Sequence, residues 1–159
     1  MAPEDVKEYV LSTYKGVVFK PFWGDLSFFY NPQNRFSNGT YFATLKLQDG
    51  ENDRASQISR DGVWRLNLGL TPKTYRDVLG QQPSRPPKGE PVEGPWNFTE
   101  LDRLMPHPCY GWMSWVAILS PSHASFETLK PLFDDAYGKA VKAFEKRVRA
   151  EQKVGLPEL

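Results

Sequence analysis

The apolar residues of this chain follow two rhythms, one helical and one strand-like. Val6, Tyr9, Val10 and Tyr14 recur at helical spacing over residues 3–14, with Glu4 and Asp5 in the first turn, where the helix dipole favours acids. Residues 17–22 and 25–30 are short apolar and aromatic runs separated by Trp23-Gly24, the pattern of a hairpin. Residues 41–47 alternate Tyr41, Ala43, Leu45 and Leu47 against Phe42, Thr44 and Lys46, and a polar loop follows over 48–61. Residues 63–69 form the next strand, with Trp64, Leu66 and Leu68 on one side and Arg65 and Asn67 on the other.

The punctuation continues in the second half. Thr71 is an N-cap with Pro72 at the first helical position, Tyr75, Val78 and Leu79 make an apolar side, and Gly80 ends the helix. Residues 81–95 carry prolines at 83, 86, 87, 91 and 95, which no regular element can pass through, so a flexible loop or flap is expected. Residues 113–119 are almost wholly apolar and read as a buried strand. A stripe from Phe126 to Val148 then predicts a long amphipathic helix, and Pro131 predicts a separate turn over 125–130 with the helix proper starting near Pro131.

This succession gives an α+β domain in the order α-β-β-β-β-α-β-α, with one antiparallel sheet of about five strands and helices packed mainly on one face. The other sheet face, or a cleft along its edge, is left free for function. With 159 residues, 40% of them hydrophobic and 25% charged, the chain is expected to be one soluble domain over 1–159, with the proline-rich loop inside it. Twenty Lys and Arg against nineteen Asp and Glu leave a net charge of +1, so nucleic acid is not expected as a partner.

One cysteine and two histidines exclude an internal disulfide and are too few for a typical structural zinc site, so no metal and no cofactor is expected. The opening residues lack the basic and apolar regions of a secretory signal, and no run reaches the roughly 18 apolar residues of a membrane helix. A cytoplasmic protein without membrane contact is the expectation. There is no phosphate-binding glycine loop, no GxGxxG, no HExxH and no GxSxG.

Candidate chemistry gathers at residues 101–112. Pro106 and Pro108 bracket His107 and fix the backbone on both sides of an imidazole that could exchange a proton near neutral pH. Asp102 or Tyr110 could orient it or share the proton; the competing reading is that His107 caps a turn or fills a polar gap. Arg65 and Asn67 share a strand face and could hold an anionic or carbonyl oxygen, against the alternative that Arg65 pairs with Asp25, Asp102 or Glu100. Trp23 and Trp112, each beside a glycine, could wall a mouth. Cys109 is two residues from His107 and reads as a small inert hydrophobe rather than a nucleophile.

The segments Val63-Trp64-Arg65-Leu66-Asn67-Leu68-Gly69, Leu101-Asp102-Arg103-Leu104-Met105-Pro106-His107-Pro108 and Trp115-Val116-Ala117-Ile118-Leu119 resemble an uncharacterised family known only as a domain of unknown function. So does the stretch from Phe126-Glu127 through Ala136-Tyr137. The resemblance spans nearly the whole chain and brings no established activity. More distantly, the order of elements is similar to MmcQ/YjbR-like proteins, which implies a compact α+β domain. The proline-rich loop and Cys109 depart from the family pattern.

Two functions follow as expectations. One is a small-molecule-binding domain, or a cofactor-independent enzyme acting on an anionic or carbonyl substrate. In it His107 transfers a proton, Asp102 orients it, Tyr110 shares the relay, Arg65 and Asn67 hold the oxygen, and Trp23 and Trp112 are walls. The other is an interaction module that meets a protein or nucleic acid through the sheet face or the basic end of the last helix.

Overall fold

The computed structural model describes residues 1–154. Helix α1 (Pro3–Thr13) leads into strands β1 (Val17–Phe22), β2 (Asp25–Tyr30), β3 (Thr40–Lys46) and β4 (Arg65–Gly69). Helix α2 (Pro72–Leu79), strands β5 (Met105–Pro106) and β6 (Trp115–Leu119) and helix α3 (His123–Val154) follow. The strands make one antiparallel sheet in the order β1-β2-β3-β4-β6-β5. It has six strands because the two-residue β5, too short to leave a periodic trace, adds itself beside β6. Among the described residues no helix is long and apolar enough to cross a membrane.

One face of the sheet is the main core. Phe28, Ala43, Leu45, Leu66, Leu68, Val116 and Ile118 meet Val6 and Val10 of α1, Tyr75 of α2, and Phe126, Leu129, Leu132, Phe133, Ala136 and Ala140 of α3. A register shift between Phe28 and Phe29 turns Phe42 into this core beside Ala43, which breaks the strict alternation the sequence shows in β3. Thr71 caps α2 by accepting from the Thr74 N–H, and its own N–H and hydroxyl bond Asp135 of α3 at 2.8 and 3.0 Å.

Helix α3 runs unbroken through Pro131, contrary to the split read from the sequence. Proline removes the bond to the Glu127 carbonyl. Both residues lie on the exposed side, where water can solvate that carbonyl, while Phe126, Leu129, Leu132 and Phe133 bury the inner side across the proline.

The second sheet face is not free. Asp53 and Ser56 of the 47–64 segment bond Arg65 on it, and the chain just after β5 brings His107 against the same side chain. Residues 81–95 carry no regular element, as expected, yet they are fastened: the Val92 N–H donates to the Pro108 carbonyl at 2.8 Å, and Val92 packs with Phe98 and Met105 in a second apolar cluster. Ser122 caps α3 by accepting from the Ser125 N–H at 3.1 Å.

Candidate functional site

The covered face is built by alternation in the central strands. In β3, Thr44 and Lys46 point away from the helices, and their register partners Asn67 and Arg65 in β4 do the same. Gly69 ends this row because the ring of Trp115 lies on it: a Cβ there would come within 2.7 Å of the indole. Trp115 in turn tilts against Tyr41, with ring centroids 5.3 Å apart.

Arg65 is completely buried. Its Nε–H donates to Asn67 Oδ1 at 2.8 Å, and Nη1 donates to Asp53 Oδ1 and Ser56 Oγ, both at 3.0 Å. Nη2 closes a two-point ion pair with the other Asp53 oxygen. Asn67 is consumed by this task, since its amide donates to Thr44 Oγ1 at 2.9 Å. Burial works against the Asp53 carboxylate, but the hydrogen bonds and charge of Arg65 outweigh it and hold Asp53 below the ordinary 3.8. Beside this group, Lys46 donates to Asp25 Oδ1 at 2.9 Å, tying the β1–β2 hairpin to the same face.

His107 arrives from the other direction. Its N–H donates to the Trp115 carbonyl at 3.0 Å, carrying the pairing of β5 one residue past Pro106. The imidazole is 3% exposed, and its Nε2 lies 3.3 Å from Arg65 Nη2. Its Nδ1 accepts from the backbone N–H groups of Cys109 and Tyr110, at 3.0 and 3.2 Å. Burial, then the charge of Arg65, hold His107 well below the ordinary 6.5, so the ring is neutral at physiological pH.

A neutral imidazole has one N–H and one lone pair. Every group within hydrogen-bond distance of its nitrogens is a donor. With the lone pair at Nδ1 serving the two backbone N–H groups, the ring proton sits on Nε2 and confronts the remaining N–H of Arg65 Nη2. With the opposite tautomer, a protonated Nδ1 confronts two backbone donors. The first choice strands fewer groups and sets the Nε2 proton against an Arg65 N–H; in the second, Nε2 accepts from Arg65 Nη2.

The same chemistry argues against a metal. Asp53, His107 and Cys109 offer ligand atoms within 4.8 Å of one another. A metal on Nε2 needs a proton on Nδ1, where two N–H groups already point; a metal on Nδ1 must displace both. The carboxylate is committed to Arg65, and burial pushes the Cys109 thiol up to about 11. The donor set does not fit a cation.

The rim of the cluster is Tyr41, Tyr110 and Cys109. Tyr110 is half-exposed and its ring lies 4.9 Å from the imidazole, covering it. Burial raises the hydroxyls of both Tyr41 and Tyr110, and each lies near enough to Asp25 to be raised further by its charge. Two clefts of about 510 and 450 Å³ lie elsewhere, on either side of the turn after β2. Neither is lined by Arg65, His107 or these rim residues.

Of the residues singled out by sequence, Arg65, Asn67, His107 and Tyr110 come together. Asp102 does not join them: it accepts from the Ser122 N–H at 2.8 Å at the start of α3, which lowers its pKa. Trp23 stands at the hairpin tip, 89% exposed, and Trp112 packs in the second apolar cluster, its indole N–H on the Cys109 carbonyl at 3.0 Å. The partner of Arg65 is Asp53, not Asp25, Asp102 or Glu100; those bond Lys46, Ser122 and Arg103. Asp53 and Ser56 sit in a loop without periodicity, so nothing local marks them. Thr44 and Lys46 were within reach, since alternation places them on the face of Arg65 and Asn67.

The model of a family of unknown function, DUF6194, matches residues 1–149. No curated protein and no solved structure matches the chain.

Proposed function

We propose that this chain, which belongs to that family of unknown function, is a small-molecule-binding domain whose ligand presents a carboxylate or carbonyl oxygen to Arg65 and His107. The carrying observation is the 3.3 Å approach of Arg65 Nη2 to His107 Nε2 while Nδ1 already accepts from two backbone N–H groups, from which we infer that Nε2 carries the ring proton and that two N–H donors converge on one point. An oxygen beside both satisfies them together and relieves a cost of about 1–3 kcal/mol for each buried donor left unpaired.

The surroundings support the same reading. Asp53, Ser56 and Asn67 hold the guanidinium rigidly, so its last donor keeps its direction without being ordered by the ligand. The ligand enters past the half-exposed ring of Tyr110. His107 acts as a neutral donor that polarises a bound oxygen; its only lone pair is occupied, which disfavours the proton-transfer role expected from the sequence. Asp102 has no part in this reading. We further propose that the fold is similar, in its order of elements, to MmcQ/YjbR-like proteins.

Histidine-selective ¹⁵N spectra test it. We expect His107 Nε2 to carry the proton, and that resonance to move saturably on titration with acetate or pyruvate. The Arg65→Lys variant, which keeps the charge but lacks the second prong, should lose the response. An unprotonated Nε2, or a resonance indifferent to both compounds, would sink the reading.

A further inference from the structure

The outer edge of the sheet at β1 is open. This strand pairs only with β2, and the two residues Trp23 and Gly24 close the hairpin between them. In such a hairpin the residues flanking the loop exchange hydrogen bonds, and every second pair back along the strands does the same. Phe22, Lys20 and Val18 therefore bond inward, and so does Gly16, whose carbonyl accepts from the Asn31 N–H at 2.8 Å. The main-chain groups of Val17, Phe19 and Pro21 point the other way, and none has a hydrogen-bond partner among the described residues.

Two more features at this edge are used neither by the core nor by the polar cluster. At the end of β1, Trp23 is 89% exposed and has a φ of 52°, a left-handed backbone that a bulky side chain adopts only at a cost. At the start of β1 lies the 510 Å³ cleft, where Leu11, Tyr14, Lys15, Gly16 and Val17 are among the lining residues.

We propose that β1 pairs with β1 of a second copy of this chain, antiparallel about a two-fold axis at Phe19, and that each Trp23 seats in the cleft of the other copy. That register sets Phe19 opposite Phe19, Val17 opposite Pro21 and Lys15 opposite Trp23. The two Phe19 residues exchange a pair of hydrogen bonds, and each Val17 N–H donates to the Pro21 carbonyl of the other copy. The N–H that proline lacks leaves only the Val17 carbonyl to water. Every outward position of both strands is thereby used.

The side chains agree with the main chain. Residue 23 has the parity of Val17 and Phe19, which face the helix layer, and the cleft opens on that layer beside the end of α1. Backbone bonds alone would hold such an edge weakly; two tryptophans, each covering roughly 150–250 Å², give it anchors. The contact is the same surface on both copies, so it closes at two chains.

Sedimentation velocity on the full chain, from about 1 to 200 µM, tests the pairing. We expect the mass to rise with concentration towards twice 18.2 kDa. Trp23→Asn at the tip and Leu11→Glu in the cleft should each weaken association about tenfold or more. Asparagine suits this turn, so the first variant keeps its fold in dilute solution and its loss of the dimer is not a loss of structure. Hydrogen exchange reads the main chain: the Phe19 amide should gain about tenfold protection as the concentration rises, while the Val18 amide, already bonded to β2, stays as it was.

A chain that stays monomeric over the whole range overturns the proposal and leaves the edge and the tip to a different partner. So does a dimer indifferent to both substitutions, or one that forms without protecting the Phe19 amide. Neither variant touches Arg65 or His107, so the outcome is independent of the ligand site.

Discussion

The two faces of the sheet are held by different physics. On the helix side, side chains from seven elements interlock with hardly a polar atom among them. On the other side, a buried guanidinium, a carboxylate, an amide, two hydroxyls and an imidazole depend on one another through directed bonds. The apolar face degrades by degrees when a side chain is trimmed. The polar face fails when one partner is lost, because the survivor is a buried charge.

Removing single partners should cost both faces heavily, and the contrast lies in what restores them. Asp53→Ala strands Arg65 and should cost about 3–5 kcal/mol in urea unfolding, while Phe133→Ala on the helix side should cost a similar 3–5 kcal/mol by opening a cavity. The discriminating variant is the double change Arg65→Met/Asp53→Leu, which removes both charges and should recover most of the loss from Asp53→Ala. If the double variant is as damaged as the single one, the polar face owes its stability to more than its ion pair.

Acid separates the faces next. Below about pH 6.5 the unfolded chain takes up a proton that folded His107 refuses, so stability falls by about 1.4 kcal/mol per pH unit until the depressed folded pKa is reached. Asp53 adds its loss lower down, below 3.8, as the pH falls through its own lowered value. His107→Gln should flatten the upper part of this dependence and leave the lower part. An unaltered slope between pH 6.5 and 5 would show that the imidazole is not the group excluding the proton.

Smaller effects sharpen the picture at the margins. Thr71→Ala removes the cap that joins α2 to Asp135 of α3 and should cost about 1 kcal/mol without touching the pH profile. At the hairpin tip, Trp23 and Gly24 both have positive φ, 52° and 82°, the pairing of a turn that favours asparagine before glycine. Trp23→Asn should therefore raise the melting midpoint, by about 1 kcal/mol in stability.

The helix-side face was legible in the sequence because burial there obeys a period. The caps at Thr71 and Gly80 and the two sides of the strand carrying Arg65 are consequences of local geometry. The polar face was legible only by halves. Alternation aimed Arg65 and Asn67 away from the helices, and the flanking prolines marked His107, but their approach depends on β5 and β4 pairing to opposite sides of β6. The partners that complete the cluster come from a loop whose path is set by tertiary contacts. Asp102 misled because a carboxylate near a histidine in sequence was instead taken by the start of α3. Pro131 misled because its cost depends on whether the orphaned carbonyl faces water, which sequence does not state.

The arrangement of the sheet imposes a timetable on synthesis. Arg65 leaves the ribosome after Asp53 and Ser56 but well before His107 and the strand at 115–119 that separates β4 from it. Until that strand arrives, the β1–β4 meander has a raw edge and a guanidinium covered from one side only. A ribosome pause before residue 105 would lengthen that exposure.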